Sequence, residues 1–412
     1  MKALVILTIT YPDPFLENEI PHLASSFDKI YILPQNSQRN QIFGNVEVVS
    51  IFSSLNSRRT WMRLMINFID FVRVFLYSLQ YPTRRNYIKY HRSFAGYFLN
   101  EVQKVSALKR FILSNNLQDA LFYDYWLVDA TIAMALLKRQ GLIKRSFARV
   151  HGFDLYDERQ FEGCVSFREY RVKYLDAVFA ISEHGLKYMQ ERLPERLRHK
   201  MRLSRLGVKD PGVPIEKPRI KGCDYLIVTC ARLIPLKRMR LVAEVLQRTR
   251  LNISWVHFGD GPARTELEEA VRNLPENVTV QIKGNVSNDD ILAFYKRFYV
   301  DLFVSLSESE GIPVSMMEAI SFGIPVLACD LNGIPEIVND TTGKLIRVNA
   351  GIDEILFEVE QTLLQRRFDR RSIYQYYKQE FDARHNYRQF VNEIHQFFNL
   401  SPLAENSVDA AH

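Results

Sequence analysis

The chain has 412 residues, too many for one ordinary hydrophobic core, so two or three domains are expected. With 47% hydrophobic and 25% charged residues it is globular and not disordered, and no uncharged apolar run of about 18 residues is present to cross a bilayer. A formal net charge of +7 favours anionic partners (nucleotides, phosphates, nucleic acid or an anionic membrane face) without choosing among them.

Met1–Leu7 has one lysine and no small-residue cleavage pattern after it, so it reads as a first strand and not as a leader. Cys164, Cys223, Cys230 and Cys329 show no Cys-x-x-Cys spacing and are expected to be buried thiols of a reducing compartment. These two readings predict a cytoplasmic protein. Ala3–Ile9, Lys29–Leu33 and Val46–Ile51 have the composition of strands, and Phe15–Ala24 has helical periodicity between the first two. That alternation predicts a parallel α/β sheet. The loop Thr10–Pro14 then lies at a carboxyl strand end, where such sheets bind ligands.

Residues 58–99 differ in character. Trp61, Phe68, Phe71, Phe75, Tyr87, Phe94 and Phe98 are interleaved with Arg58, Arg59, Arg63, Arg73, Arg84, Arg85, Lys89 and Arg92, and Asp70 is the sole acid. Basic side chains with aromatic anchors suit an anionic lipid surface, which predicts peripheral contact with the inner face of the cytoplasmic membrane. The plainer alternative is a helical pair covering the sheet, its aromatics in the core.

Asp119–Tyr123, Phe147–Val150, Ala177–Ile181 and Met201–Arg205 complete the first set of strands. His151 follows one of them, with Gly152 permitting close approach, and is placed to face a cleft. Residues 209–222 are proline- and glycine-rich and predict a linker between a domain over 1–208 and one over 223–380. The second domain repeats the strand-helix pattern, a last helix is expected over 381–400, and 401–412 reads as a frayed tail.

Three features of the second domain fall at carboxyl strand ends. Arg232 and Lys237 follow the first strand and can neutralise a diphosphate. Gly259-Asp-Gly-Pro262 makes a glycine turn into a helix. Glu310 and Glu318 flank Gly311, Ile312 and Pro313, with Pro313 suited to a first helical turn and the amides near it free to hold phosphate. Each carboxylate can grip a sugar diol. An anion cradle between two diol-binding acids predicts a nucleotide-sugar site; an ordinary solvated strand-to-helix loop is the alternative.

These residues carry a family resemblance. Glu310-x7-Glu318, Gly259-Asp-Gly-Pro262, Arg232 with Lys237, and His151-Gly-Phe-Asp154 resemble retaining GT-B glycosyltransferases, specifically glycosyltransferase family 4. Phe15–Pro21, Tyr123–Leu127, His151–Tyr156, Ile181–Gly185 and Ser204–Gly207 resemble bacterial members that build capsule, exopolysaccharide or O-antigen. The resemblance implies two Rossmann-like α/β domains facing an inter-domain cleft, with the last helix crossing back to the first domain. It implies that Arg232 and Lys237 bind the donor diphosphate, Glu310 the transferred sugar and Glu318 the ribose diol, with Gly259, Gly311, Ile312 and Pro313 shaping the donor site. His151 would stand near the anomeric carbon, and Glu17, Asp154 and Ser182 on the acceptor side. The implied activity is transfer from a nucleoside-diphosphate sugar to a lipid-linked glycan. No metal or other cofactor is expected, since the chain contains no Asp-x-Asp. The first loop, Tyr11-Pro-Asp-Pro14, lacks the glycines of many members. A nucleotide-sugar epimerase or a non-catalytic sugar-nucleotide-binding protein of the same fold is the alternative; a nucleic-acid binder is not expected.

Overall fold

The computed structural model describes residues 2–36, 40–52, 60–128, 130–212, 218–219 and 222–400, without the side chains of Pro14 and 60–67. The expected roles of Arg58, Arg59, Trp61 and Arg63, much of the expected linker, and the 401–412 tail therefore lie outside the described residues. The chain forms two compact units, residues 1–204 with the chain from 387, and residues 205–386.

Among the described residues the first unit holds eight strands: β1 Ala3–Thr8, β2 Lys29–Pro34, β3 Gln41–Phe43, β4 Val46–Val48, β5 Leu121–Asp124, β6 Arg145–Val150, β7 Ala177–Ala180 and β8 Met201–Leu203. They are ordered β3-β4-β2-β1-β5-β6-β7-β8 and are parallel except for the β3–β4 pair. β1 is central and buried on both faces, which is why Ala-Leu-Val-Ile-Leu-Thr is apolar without alternation. The β3–β4 hairpin was not anticipated. Its turn uses Gly44 at φ +59, and all of β3 is exposed, so it carries no apolar pattern to read.

The helices of this unit are α1 Pro14–Ala24, α2 Thr60–Ser78, α3 Arg84–Lys89, α4 His91–Ser114, α5 Thr131–Arg139, α6 Arg168–Tyr174, α7 Glu183–Arg192 and α8 Glu195–Arg198. Tyr87, Phe94 and Phe98 pack inward with Val74, Phe167 and Tyr170, so these aromatics of the basic segment are core and not lipid anchors. Phe68, Ile69 and Ile88 are exposed. Among the described residues no helix is long and apolar enough to cross a membrane.

The second unit holds β9 Tyr225–Cys230, β10 Ile253–Phe258, β11 Val278–Ile282, β12 Leu302–Ser305, β13 Val326–Cys329 and β14 Gly343–Ile346, all parallel, in the order β11-β10-β9-β12-β13-β14. Its helices are α9 Met239–Leu246, α10 Arg264–Val271, α11 Asn288–Arg297, α12 Val314–Ser321, α13 Ile352–Gln365 and α14 Arg370–Glu380. The last helix, α15 Ala383–Phe397, starts in this unit and supplies Phe390, Val391 and Ile394 to the core of the first. In each sheet the strand order reverses beside one strand, β1 or β9. Such a switch point leaves a crevice at the carboxyl strand ends.

Candidate active site

In the second unit the switch point is built from the loops after β9, β10 and β12. The first loop is pinned by Arg238, which sits at φ +48 and donates to the carbonyls of Leu306 at 2.5 Å and Val348 at 2.8 Å, and to Cys329 Sγ at 3.1 Å. That ties the loop to β12 and β13. The Leu236 carbonyl accepts from the Glu308 amide at 2.9 Å, closing the same seam. Lys237 is thereby held where its Nζ pairs with Glu310, with 19% and 13% of the two side chains exposed. Arg232 stands exposed five residues earlier.

The second loop must come close to the first, and only glycine permits it. A Cβ at Gly259 (φ +133) would lie 1.9 Å from the Ala231 carbonyl oxygen, and one at Gly261 would lie 2.3 Å from that of Leu233. Asp260 fixes the turn, accepting from the Gly261 amide at 2.7 Å and pairing with Arg264 at 2.9 Å. The Gly261 amide, then Arg264, hold its carboxyl below the usual range. Between the loops lies a cavity of about 610 Å³, lined by Cys230, Arg232, Gly259, Gly261, Asn285 and Ile291 among others.

The third loop leads into α12. Pro313 is one position earlier than anticipated: it caps the helix in an extended conformation (φ −80, ψ 116) and makes no side-chain cap bond. Proline disfavours helical geometry at the residue before it, Ile312, so the helix begins no earlier than this. The loop before it is strapped by Asn332, which donates to the Glu310 carbonyl at 2.7 Å, and by the Gly333 amide, which donates to that of Gly311 at 3.2 Å. Ile312 is buried. Glu318 lies inside α12 and is 7% exposed. Burial pushes its carboxyl up to about 7, and a hydrogen bond from Asn288 opposes the shift. Cys230 Sγ is near enough to feel both Glu318 and Lys237, and burial pushes this thiol up to about 12. Cys223 and Cys230 are half-buried, where burial of all four cysteines was expected.

Asn288 and His257 were not anticipated as part of this region. His257 is fully enclosed on β10. Its Nδ1 lies 2.8 Å from Thr229 Oγ1, which also accepts from Trp255 Nε1 at 2.9 Å, and Nε2 sits behind Gly259. Burial pushes this imidazole down to about 4, so it is neutral.

In the first unit His151 lies past the end of β6, 6% exposed, with its ring centroid 4.2 Å from that of Trp126 and 4.9 Å from that of Tyr125. Burial lowers its pKa against the opposing effect of Asp154. Asp154 is completely buried, and its carboxylate accepts from the amides of His151 at 2.8 Å, Gly152 at 3.0 Å and Leu127 at 3.1 Å. It therefore positions the His151 loop and does not present an oxygen to a ligand. Ser182 is likewise occupied: its hydroxyl caps α7 by accepting from the Gly185 amide at 3.0 Å. Glu17 is exposed in the first turn of α1, its pKa raised by partial burial and by Asp13. Among the described residues no three of His, Cys, Asp and Glu gather as a metal site requires.

Residues 215–380 match the model of the family described as Glycosyl transferases group 1. The matched span contains Arg232, Lys237, the glycine turn, Glu310 and Glu318. Among relatives, the O-antigen biosynthesis glycosyltransferase WbnH of Escherichia coli is 27% identical over 197 residues, covering 45% of this chain and 55% of that one. The chain thus spans about half the length of the curated relatives it matches. The lipopolysaccharide outer core galactosyltransferase WaaB, solved in its apo form, superposes with a TM-score of 0.69 at 16% identity, covering 97% of this chain and all 100% of that one. The Anabaena protein HepE in complex with UDP gives a TM-score of 0.68 at 14% identity, covering 96% and 100%. The fold is accordingly GT-B, two Rossmann-like units in one chain.

Proposed function

We propose that this protein is a retaining glycosyltransferase that moves a sugar from a nucleoside-diphosphate sugar to a lipid-linked glycan in cell-surface polysaccharide synthesis. The observation that carries the reading is the Lys237–Glu310 pair between the loops after β9 and β12, with Lys237 close to Cys230 of the glycine-walled cavity, inside the span that matches the group 1 family. WbnH, named for O-antigen biosynthesis, and HepE, solved with UDP, support the substrate classes.

In this reading Lys237 and Arg232 stabilise the charge that grows on the leaving diphosphate, without a metal ion. Glu310 accepts hydrogen bonds from hydroxyls of the transferred sugar while Lys237 holds its orientation. Glu318 accepts from the ribose diol. The bond between the anomeric carbon and the phosphate oxygen breaks as the acceptor oxygen bonds to that carbon on the same face. The acceptor's proton passes to the departing phosphate. The first unit binds the acceptor, with His151 held neutral by burial, and works at an anionic membrane face.

The test is a panel of nucleoside diphosphates and their sugars, read first by thermal shift and then by NMR of the product. One nucleotide series is expected to raise Tm, and the product to keep the donor's anomeric configuration. A panel without any shift would overturn the nucleotide-sugar assignment, and an inverted product the retaining one.

A further inference from the structure

The basic segment presents a surface that the aromatic content alone did not locate. Between Asp70 and Glu101 the chain contains no acid, and Arg84, Arg85, Lys89 and Arg92 are all exposed. With Tyr87, Phe94 and Phe98 turned into the core, the apolar side chain left outside on α3 is Ile88, 63% exposed. A second piece of chain joins it. The loop 153–163 carries Phe161, 83% exposed, and Phe153, 54% exposed. Asn86 donates to the Glu162 carbonyl at 2.7 Å, and the Tyr97 hydroxyl to the Glu162 carboxylate at 3.1 Å. The Phe161 and Tyr90 ring centroids are 5.6 Å apart, and Lys89 Nζ lies 4.8 Å from the Tyr90 centroid. Gln160 ties the loop back to the Phe153 carbonyl at 2.5 Å. A phenylalanine this exposed gains nothing in water, yet the backbone beneath it is held on both sides.

We propose that α3 and the 153–163 loop form a membrane-docking surface, with Phe161 and Ile88 entering the headgroup region of an anionic bilayer and Arg84, Arg85, Lys89 and Arg92 paired with its lipid phosphates. Charge complementarity chooses the occupant. Four cations without an acid among them on α3 and its flank repel a second copy of themselves but match an anionic leaflet. Aromatic and aliphatic tips ringed by basic side chains are what an interface accommodates. The loop starts two residues after His151, so docking would bring that residue to the membrane, where a lipid-linked acceptor resides. This proposal rests on the acceptor reading above for its purpose but not for its test.

The test is co-sedimentation of the full chain with vesicles of phosphatidylcholine alone or mixed with phosphatidylglycerol. Binding is expected to the anionic vesicles and to fall with salt. Arg84→Gln with Arg85→Gln is expected to weaken it roughly ten- to thirtyfold, at about 1 kcal/mol per basic residue. Phe161→Ser is expected to weaken it several-fold, while transfer to a water-soluble acceptor fragment persists. Equal binding to both vesicle types, or unchanged binding by Phe161→Ser, overturns the proposal. So does a concentration-dependent dimer that Phe161→Ser abolishes, because the surface is then a protein interface. Loss of transfer to the soluble fragment in the unmodified chain would instead strike the enzymatic reading and leave the docking surface standing.

Discussion

Lys237 and Glu310, 73 residues apart, form an ion pair that joins the loops after β9 and β12. Both side chains keep some exposure, so losing one partner is expected to cost less than breaking a fully buried pair. On the proposed reading each group holds the other in position for a ligand. Lys237→Ala and Glu310→Ala are therefore each expected to lower kcat by about 10²–10³-fold, the scale of losing one oriented electrostatic contact. The change in Tm should stay within a few degrees. Near-normal turnover in a folded Lys237→Ala protein would remove the phosphate assignment.

The glycine turn makes a prediction about stability. Gly259 is at φ +133, and an added Cβ would overlap the Ala231 carbonyl at 1.9 Å. Gly259→Ala is expected to cost about 3 kcal/mol or more, combining backbone strain with overpacking. Gly96→Ala, inside α4 with open space around the new methyl, is expected instead to stabilise by about 0.5–1 kcal/mol. Urea denaturation of the two variants side by side checks the contrast.

Much of this could be read from the chain because local signals and global fold agree. β1 is a continuous apolar run because it is covered on both faces, and Gly-Asp-Gly-Pro262 reveals a turn because only glycine fits at Gly259 and Gly261. The acids and bases of the second unit were identifiable as types at strand ends, but the pairing of Lys237 with Glu310 was not, since long-range partners leave no periodic trace. Asn288 was hidden for a different reason. It follows Ser287, the N-cap of α11, and reads as part of a helix start. Ser182, placed on the acceptor side by the family resemblance, caps α7, a local role that its position in front of a helix also signals. The aromatic content of 58–99 indicated neither core nor surface until side-chain direction was known.

Glu19 and Arg149 are also invisible as partners in the sequence. They form a fully buried ion pair linking α1 to β6, 130 residues apart. Arg149 also donates to Ser204 Oγ at 2.6 Å and lies 4.1 Å from the Phe390 ring centroid, where α15 packs. Removing one partner strands a buried charge, so Glu19→Leu or Arg149→Met alone is expected to destabilise by about 3–5 kcal/mol. The double variant is expected to recover much of that loss, since two apolar groups need no partner. Chemical unfolding of the full cycle checks this; additive losses would show that the pair is not coupled.

Glu318 gives the pH prediction. Its carboxyl is raised to about 7 by burial, from an ordinary value of 4.5. Between those values the unfolded chain has released this proton and the folded chain has kept it, so stability falls as pH rises from about 4.5 to 7 and then levels. Ligand binding has the opposite sign. A ribose diol donates hydrogen bonds, so it favours the carboxylate, and affinity should rise with pH through the same range. With a free-state pKa near 7, about a tenth of the protein is ionised at pH 6 and about nine-tenths at pH 8. Nucleoside diphosphate is thus expected to bind roughly tenfold tighter at pH 8 than at pH 6. The ligand's own phosphate ionisation is common to any variant, so Glu318→Gln measured calorimetrically at both pH values isolates the side chain. Its affinity should show only the ligand's share of the change; a difference equal to that of the unmodified protein would free Glu318 from the nucleotide site.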